Sequence, residues 1–460
     1  MAYSRTQRLV RRVVMPLFAV AVVALAAGLG GPALLRASGL AVDGGEPTLD
    51  PLRYATPAPT PVPVEAPPAA PAASLGGALP DLAALQTAIG ALPGPTGRTA
   101  WAVVDPTTGR PLAGAGAEDG LVPASTQKLL TAAAALSVFG PDRRFATTLV
   151  AVEGGAVLVG GGDPYLQTAP ADGYPAWASL TGLADAAAAA LQAAGTTAIR
   201  LGWDDSWFAG PAWNENWDDD DSLYVTATSA LWSDHGVTDG IRSQTPAADA
   251  AARFADLLRE RGITVSQTAS QPAPAGAAVL AEVSSPPLSV VIQEYLLSSD
   301  NDVAEVLFRQ IARAKGGDGS LAAAHTALPG ILSELGLWAD GQTADDGSGL
   351  SRANRVSPLV LARAVALGLR DPAYRTLLAG LPTAGGDGTL ARRFNDPDEQ
   401  PGRGYVRAKT GSLTGVNTLA GFVQTRSGAI LAFAFMSNDA SDDSAAGDWA
   451  DQACALLAAS

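Results

Sequence analysis

The chain has 460 residues, with 45 acidic against 30 basic side chains, a net charge of −15 and 47% hydrophobic residues. That length sets a prior of roughly three domain-sized units with ample material for a core. The acidic balance excludes nucleic acid as a partner, since no basic stripe occurs beyond the N-terminus. Cys454 is the only cysteine, which excludes an intrachain disulfide and a thiolate metal site; no cofactor or metal is expected.

Arg5, Arg8, Arg11 and Arg12 precede an uncharged segment from Val13 to Leu35. A positive head followed by an apolar run is an export or anchoring signal. The run is long enough to span a bilayer, whereas Gly28, Gly30, Gly31 and Pro32 interrupt its second half in the manner of a cleaved signal peptide. Both readings place the rest of the chain outside the cytoplasm. Residues 1–35 are therefore assigned to a signal or membrane anchor. Residues 36–78 follow as a linker, because Pro57, Pro59, Pro61, Pro63, Pro67, Pro68 and Pro71 favour extended polyproline structure over a core.

Globular structure is expected from Leu79, where Leu82, Leu85, Ile89 and Leu92 recur at helical spacing. Thr99 to Val104 reads as a strand, Asp105 to Gly109 as a turn, and Leu112 to Ala115 as a strand pairing back. The run Pro123-Ala124-Ser125-Thr126-Gln127-Lys128 then reads as the mouth of a helix. Residues three apart on a helix share a face, so the Lys128 amine can take the proton of the Ser125 hydroxyl without any histidine. Lysine is scarce: only Lys128, Lys315 and Lys409 occur, and every other basic side chain is arginine. A guanidinium effectively never loses its proton, so lysine is kept where an amine has to be neutral.

After Phe145 the texture changes to strands and short helices without a catalytic motif. Thr147–Val152 and Ala156–Val159 form a hairpin closed by Gly160 to Leu166, with a helix over Leu180–Ala193 and a strand over Thr197–Gly202. A second helix is expected over Ala247–Arg261 and a second strand over Ala277–Val283. This region holds Trp203, Trp207, Trp213, Trp217 and Trp232, five of the nine tryptophans, read as a small core with sugar stacking as the alternative. Asp218 to Asp221 reads as a solvated acidic turn; a calcium loop would need alternating ligands and a glycine. Two helices flank Ser299-Asp300-Asn301, and Asp346 to Arg352 is a loop. Tyr405 to Ser412 is a strand containing Lys409-Thr410-Gly411, Asn417–Gln424 and Ala429–Ser437 are strands, and Trp449–Ala458 is an amphipathic helix that buries Cys454.

The ordered set SxxK (Ser125, Lys128), SDN (Ser299, Asp300, Asn301) and KTG (Lys409, Thr410, Gly411) resembles the penicillin-binding proteins and serine β-lactamases. GGGDPYL from Gly160, SDNxxAE ending at Glu305, DGSGLSR from Asp346 and GGDGTL from Gly385 are similar to stretches of the class C low-molecular-mass penicillin-binding proteins. The resemblance implies an α+β fold: a penicillin-binding/β-lactamase-like transpeptidase domain with an antiparallel sheet flanked by helices, plus a helical subdomain. A smaller α/β domain would lie between SxxK and SDN. The catalytic domain is then 79–145 with 286–460, and the inserted domain 146–285. By resemblance, Ser125 is the acylated nucleophile, Lys128 its base, and Ser299 with Lys409 a proton relay. Asn301 would hold the acyl side chain, Thr410 and Ser412 would receive the terminal carboxylate, and the N–H groups of Ser125 and Ser412 would form the oxyanion hole. Gly411 would let the substrate backbone lie along its strand. The activity implied is a serine D-Ala-D-Ala carboxypeptidase, with endopeptidase action on the cross-link as a further reaction, peptidoglycan peptides as substrates and β-lactams as acylating agents. The rivals are a β-lactamase-like hydrolase, disfavoured by the long stretch between Ser125 and Ser299, and a silent cell-wall binding protein, disfavoured by complete motifs. His235 and His325 adjoin no motif, which disfavours a Ser-His-Asp triad.

Overall fold

A computed structural model describes residues 77–460; the apolar leader and the Pro-rich tract lie outside the described residues. Among those described, no helix is long and apolar enough to cross a membrane.

Helix α1 (Leu82–Gly90) starts where the Asp81 carboxylate accepts from the N–H groups of Ala83 and Ala84, an N-cap that satisfies two otherwise orphaned donors. Strands β1 (Arg98–Val104) and β2 (Pro111–Ala115) follow, joined by a turn in which Asp105 Oδ1 accepts from Thr107 N and Thr108 N. Helix α2 (Lys128–Phe139) comes next. Then come β3 (Ala146–Val152), β4 (Gly155–Gly160), α3 (Leu180–Ala193), β5 (Ala198–Asp204), a short hairpin β6 (Val237–Thr238) and β7 (Ile241–Arg242), α4 (Pro246–Glu260), β8 (Thr264–Ser270) and β9 (Val279–Ser284). The chain then returns through α5 (Leu288–Ser298), α6 (Asn301–Ala314), α7 (Leu321–Glu334), α8 (Pro358–Arg370) and the single turn α9 (Thr376–Ala379). It ends with β10 (Val406–Leu413), β11 (Val416–Gln424), β12 (Ile430–Asn438) and α10 (Asp443–Ala459).

The first sheet has the order β10-β11-β12-β1-β2 and is antiparallel throughout. Side chains alternate between its faces. Ala100, Ala102 and Val104 of β1 and Ala432, Ala434 and Met436 of β12 face a core shared with α2, α5, α6, α7 and α8. Trp101, Val103, Leu431, Phe433 and Phe435 face α1 and α10 on the other side, together with Cys454. The alanine face lets helices approach the sheet closely, and the aromatic face supplies bulk. Full burial of side chains such as Phe433 and Phe435, both 0% exposed, contributes about 1.5–3 kcal/mol each.

The second sheet, β8-β5-β4-β3-β9, is mixed: β4, β5 and β8 run parallel, while β3 pairs antiparallel with β4 and β9. Helices α3 and α4 bury Leu180, Leu183, Leu191, Phe254 and Leu258 against it. The strand β8 had no counterpart in the sequence reading. Its Thr-Val-Ser-Gln-Thr-Ala-Ser composition carries little apolar signal because it is an edge strand.

Candidate active site

The nucleophile turn departs from the expected α-helical mouth. Ala124 to Gln127 form a 3₁₀ turn, and α2 begins only at Lys128. Ala124 has φ 45°, a conformation that L residues adopt at a cost and that concentrates at functional sites. It is held from several sides. Thr126 Oγ1 and Thr418 Oγ1 both donate to Pro123 O, at 2.6 and 2.7 Å. A Cβ on Gly349 would sit 1.9 Å from Ala124 O, so only glycine fits there.

Lys128 is 0% exposed. Its Nζ lies 3.0 Å from Ser125 Oγ and donates to Asn301 Oδ1 at 2.7 Å and to Ser348 O at 2.8 Å. A neutral amine has two N–H bonds and one lone pair. The two carbonyl-type acceptors take both N–H bonds, which leaves the lone pair for the Ser125 hydroxyl. Burial lowers the amine to about pKa 8, against the opposing pull of Asp346 and Glu305. Asn301 thus orients the Lys128 amine as well as facing the pocket, and its Nδ2 donates to Tyr224 O at 3.1 Å.

Ser299 stands at the break between α5 and α6 with φ 64°, a left-handed cap that turns its side chain toward β10. Lys409 Nζ donates to Ser299 Oγ at 2.7 Å and to Thr410 O at 2.8 Å. Burial first, and the Lys128 cation second, hold Lys409 well below its ordinary value. Thr410 Oγ1 is 2.7 Å from Thr389 Oγ1, so the stretch from Gly385 to Leu390 reaches the site. Gly411 is needed for a reason the sequence did not show. A Cβ there would lie 2.2 Å from Thr418 Oγ1 and 2.9 Å from both Pro123 O and Ser125 N, so glycine lets β10 close on the nucleophile turn.

Ser125, Ser299, Asn301 and Ser412 open into a pocket of about 680 Å³, with Lys128 and Lys409 buried behind it. All eight residues expected from the sequence, Ser125, Lys128, Ser299, Asn301, Lys409, Thr410, Gly411 and Ser412, therefore meet in one place. Others were missed. Asp218 to Asp221, expected as a plain solvated turn, are at the mouth of the same pocket with Tyr224 and Arg352. Trp217 is buried and its Nε1 donates to Asp346 Oδ2 at 2.9 Å. Trp232 is buried too, so these two indoles serve packing, whereas Trp207 is exposed and donates to Gln310 Oε1 with Arg313 over its ring. Ser348 contributes its carbonyl, whereas its hydroxyl is turned to Asp346 Oδ2 at 3.4 Å.

His235, far from every motif in sequence, places Nδ1 3.6 Å from Asp300 Oδ2 and 3.9 Å from Asp302 Oδ2. It faces the carboxylates of the SDN turn, so it forms no triad with Ser125. The His235, Asp300 and Asp302 ligand-type atoms lie within 4.8 Å of one another, but the Arg242 guanidinium already occupies Asp302 Oδ2 at 2.6 Å. The Arg242–Asp302 ion pair thus ties the β6–β7 hairpin to α6, with His235 beside it.

Comparison with known proteins agrees with this geometry. The D-Ala-D-Ala carboxypeptidase 3 (S13) family model matches residues 82–240 and 234–460. A carboxypeptidase of Mycobacterium tuberculosis is 37% identical over 358 residues, covering 75% of this chain and 77% of the relative. A D-alanyl-D-alanine carboxypeptidase of Actinomadura is 30% identical over 429 residues, with 73% and 77% covered. Penicillin-binding protein 4 of Haemophilus influenzae superposes with a TM-score of 0.67 at 23% identity, covering 82% of this chain and 98% of that one; its complex with a β-lactam gives 0.62. The penicillin-binding fold expected from the motifs is thus the fold observed, and the chain belongs to the D-Ala-D-Ala carboxypeptidase 3 (S13) family.

Proposed function

We propose that the protein is a serine D-Ala-D-Ala carboxypeptidase that cleaves the terminal residue of peptidoglycan stem peptides and is acylated by β-lactams at Ser125. The observation that carries this reading is the buried Lys128 amine, whose N–H bonds are both directed at Asn301 Oδ1 and Ser348 O while Ser125 Oγ stands 3.0 Å away. Lys128 takes the Ser125 proton as Oγ bonds to the carbonyl carbon of the penultimate D-Ala. The N–H groups of Ser125 and Ser412 stabilise the oxyanion. As the C–N bond breaks, a proton passes through Ser299 Oγ, held by Lys409 Nζ at 2.7 Å, to the departing amine. Thr410 and Ser412 hold the terminal carboxylate, and Gly411 keeps the strand close. Water then displaces the acyl group, with Lys128 again as base.

The motifs divide the chain into a catalytic domain of 79–145 with 286–460 and an inserted domain of 146–285. The arginine-flanked apolar leader places both outside the cytoplasm, anchored or secreted. Endopeptidase cleavage of the D-Ala to diaminoacid cross-link is a second reaction of the same acyl-enzyme. Labelling the purified chain with a fluorescent penicillin, and following D-Ala release from a pentapeptide and cleavage of a cross-linked dimer, tests these activities. One adduct and D-Ala release, both abolished in Ser125→Ala, are expected; an adduct that survives Ser125→Ala would overturn the assignment.

A further inference from the structure

Glu305 lies one turn into α6 and is 0% exposed. Its Oε1 accepts from Ser348 N at 2.8 Å and Gly347 N at 3.1 Å. These are the two peptides behind Lys128. Ser348 O takes the Lys128 N–H at 2.8 Å, and Gly347 O accepts from Thr131 Oγ1 at 2.7 Å. Glu305 therefore holds the backbone that aims the amine. Its second oxygen, Oε2, is buried without a hydrogen-bond partner.

Asp346, the other carboxylate beneath Lys128, is satisfied on both oxygens. Gly349 N and Asn354 Nδ2 donate to Oδ1 at 2.8 Å each, and Ser351 N and Trp217 Nε1 donate to Oδ2 at 2.6 and 2.9 Å. An ionised carboxylate needs such a set when buried, and a half-served one is better off protonated. The asymmetry assigns the negative charge to Asp346 and the proton to Glu305.

The other charged groups do not change that assignment. Arg309, one turn further on, sends its Nη1 to Ala209 O and Gly319 O and its Nη2 to Pro211 O. Asp302 is paired with Arg242, and Asp300 faces His235. Lys409 points at Ser299 from β10. Burial, and secondly the Asp346 charge, push Glu305 up to about 8, close to Lys128.

We infer that Glu305 is a positioning residue for Lys128, held as a neutral carboxylic acid: it pins the Gly347 and Ser348 peptides that orient the amine and, by staying uncharged, leaves that amine facing one carboxylate charge, Asp346, in place of two. The inference rests on Lys128 being the base. Losing one proton from the pair gives either the working form, with neutral Lys128 and protonated Glu305, or an idle ion pair with the proton on the lysine. The two groups titrate together, and the idle form delays the appearance of the base as pH rises.

Glu305→Gln keeps an acceptor for Gly347 N and Ser348 N but removes the idle form. In the full chain, the ascending limb of the penicillin acylation rate against pH should move down by about half a unit to one unit. Around pH 8, where the idle form is most populated, that makes the variant about two- to threefold faster than the parent, and the two rates converge below about pH 6.5, where Glu305 already carries its proton. A purely structural glutamate would leave the limb in place, so an unmoved or upward-moved limb overturns the proposal. A second measurement does not depend on the variant folding. With ¹³C-glutamate label and a Glu399→Gln background, which removes the other buried glutamate pushed up, to about 7, infrared spectra near pH 6.5 should show a protonated carboxyl C=O band that disappears by about pH 9.5. Absence of that band at the lower pH overturns the proposal. Because the band reports on Glu305 whatever Lys128 does, failure of the base assignment is read separately, from Lys128→Arg.

Discussion

Replacing Lys128 by arginine keeps a cation in reach of Ser125 but removes any chance of a neutral amine. With the parent amine at about pKa 8, roughly a tenth of it is unprotonated at pH 7, half at pH 8 and nine-tenths at pH 9. The parent acylation rate should therefore climb about fivefold between pH 7 and pH 8 and level off by about pH 9. The variant should lose the roughly 10²–10⁴ attributed to a general base, and its residual rate should show no such rise. The arginine also has to fit a site that is 0% exposed, so a fall in Tm is expected, with overpacking typically costing about 1–3 kcal/mol. Stopped-flow acylation by a chromogenic cephalosporin across pH 6–10, with circular dichroism to confirm folding, gives both readings. A folded variant that acylates within about tenfold of the parent, with the parent's pH profile, would show that another group is the base.

Other outcomes follow from particular contacts. Gly411→Ala should fold but acylate about a hundredfold more slowly, because its Cβ would press on Thr418 Oγ1 at 2.2 Å and displace the Ser125 turn; parent-like labelling would refute that tight fit. Trp217→Phe removes a donor 2.9 Å from buried Asp346 and should cost about 1–3 kcal/mol in urea unfolding, with slower acylation. Arg242→Met leaves Asp302, 3% exposed, without its cation and should destabilise by about 3 kcal/mol, read from the urea midpoint. Asp163 is pushed up to about 7 by burial. Its folded form holds a proton between about pH 4 and pH 7 that the unfolded form has released, so stability is lost as pH rises through that window. In Asp163→Asn the fall in Tm across that window should be shallower than in the parent.

The proposed catalytic residues stood out in the sequence because the chemistry proposed for them demands fixed types at short spacing: a serine and a lysine one turn apart, and a second lysine on a strand beside a glycine. What supports them was not legible, because it depends on pairs brought together from distant parts of the chain. Trp217 and Asp346, Tyr224 and Asn301, and His235 and Asp300 meet only after folding. Helix α8 drew no assignment from the sequence. From Pro358 to Gly368 nearly every residue is buried, so no polar face exists to mark a period. Helix α10 was expected from Trp449 but starts at Asp443, where Asp442 caps the N–H groups of Ser444 and Ala445; its first turns are small and polar and look like loop. Glu305 was visible as part of a pattern, yet its partners, two backbone amides, leave no trace in side-chain chemistry.

Helix α6 turns a polar face toward the chain between β5 and α4 and toward the glycines that follow β4. Asp302 meets Arg242 and the Thr226 amide, Arg309 meets the carbonyls of Ala209 and Pro211, and Gln310 meets Trp207 and the carbonyls of Gly161 and Gly162. Joining Phe145 to Ser285 would look like a clean excision, since β3 and β9 lie side by side in one sheet. It would strip the carbonyl acceptors and the guanidinium from a helix that begins at Asn301, and open to water a face that is buried in the intact chain. The second sheet is therefore no detachable cassette. A chimera that exchanged it between relatives would have to carry both halves of this seam, and any drift on one side constrains what the other can become.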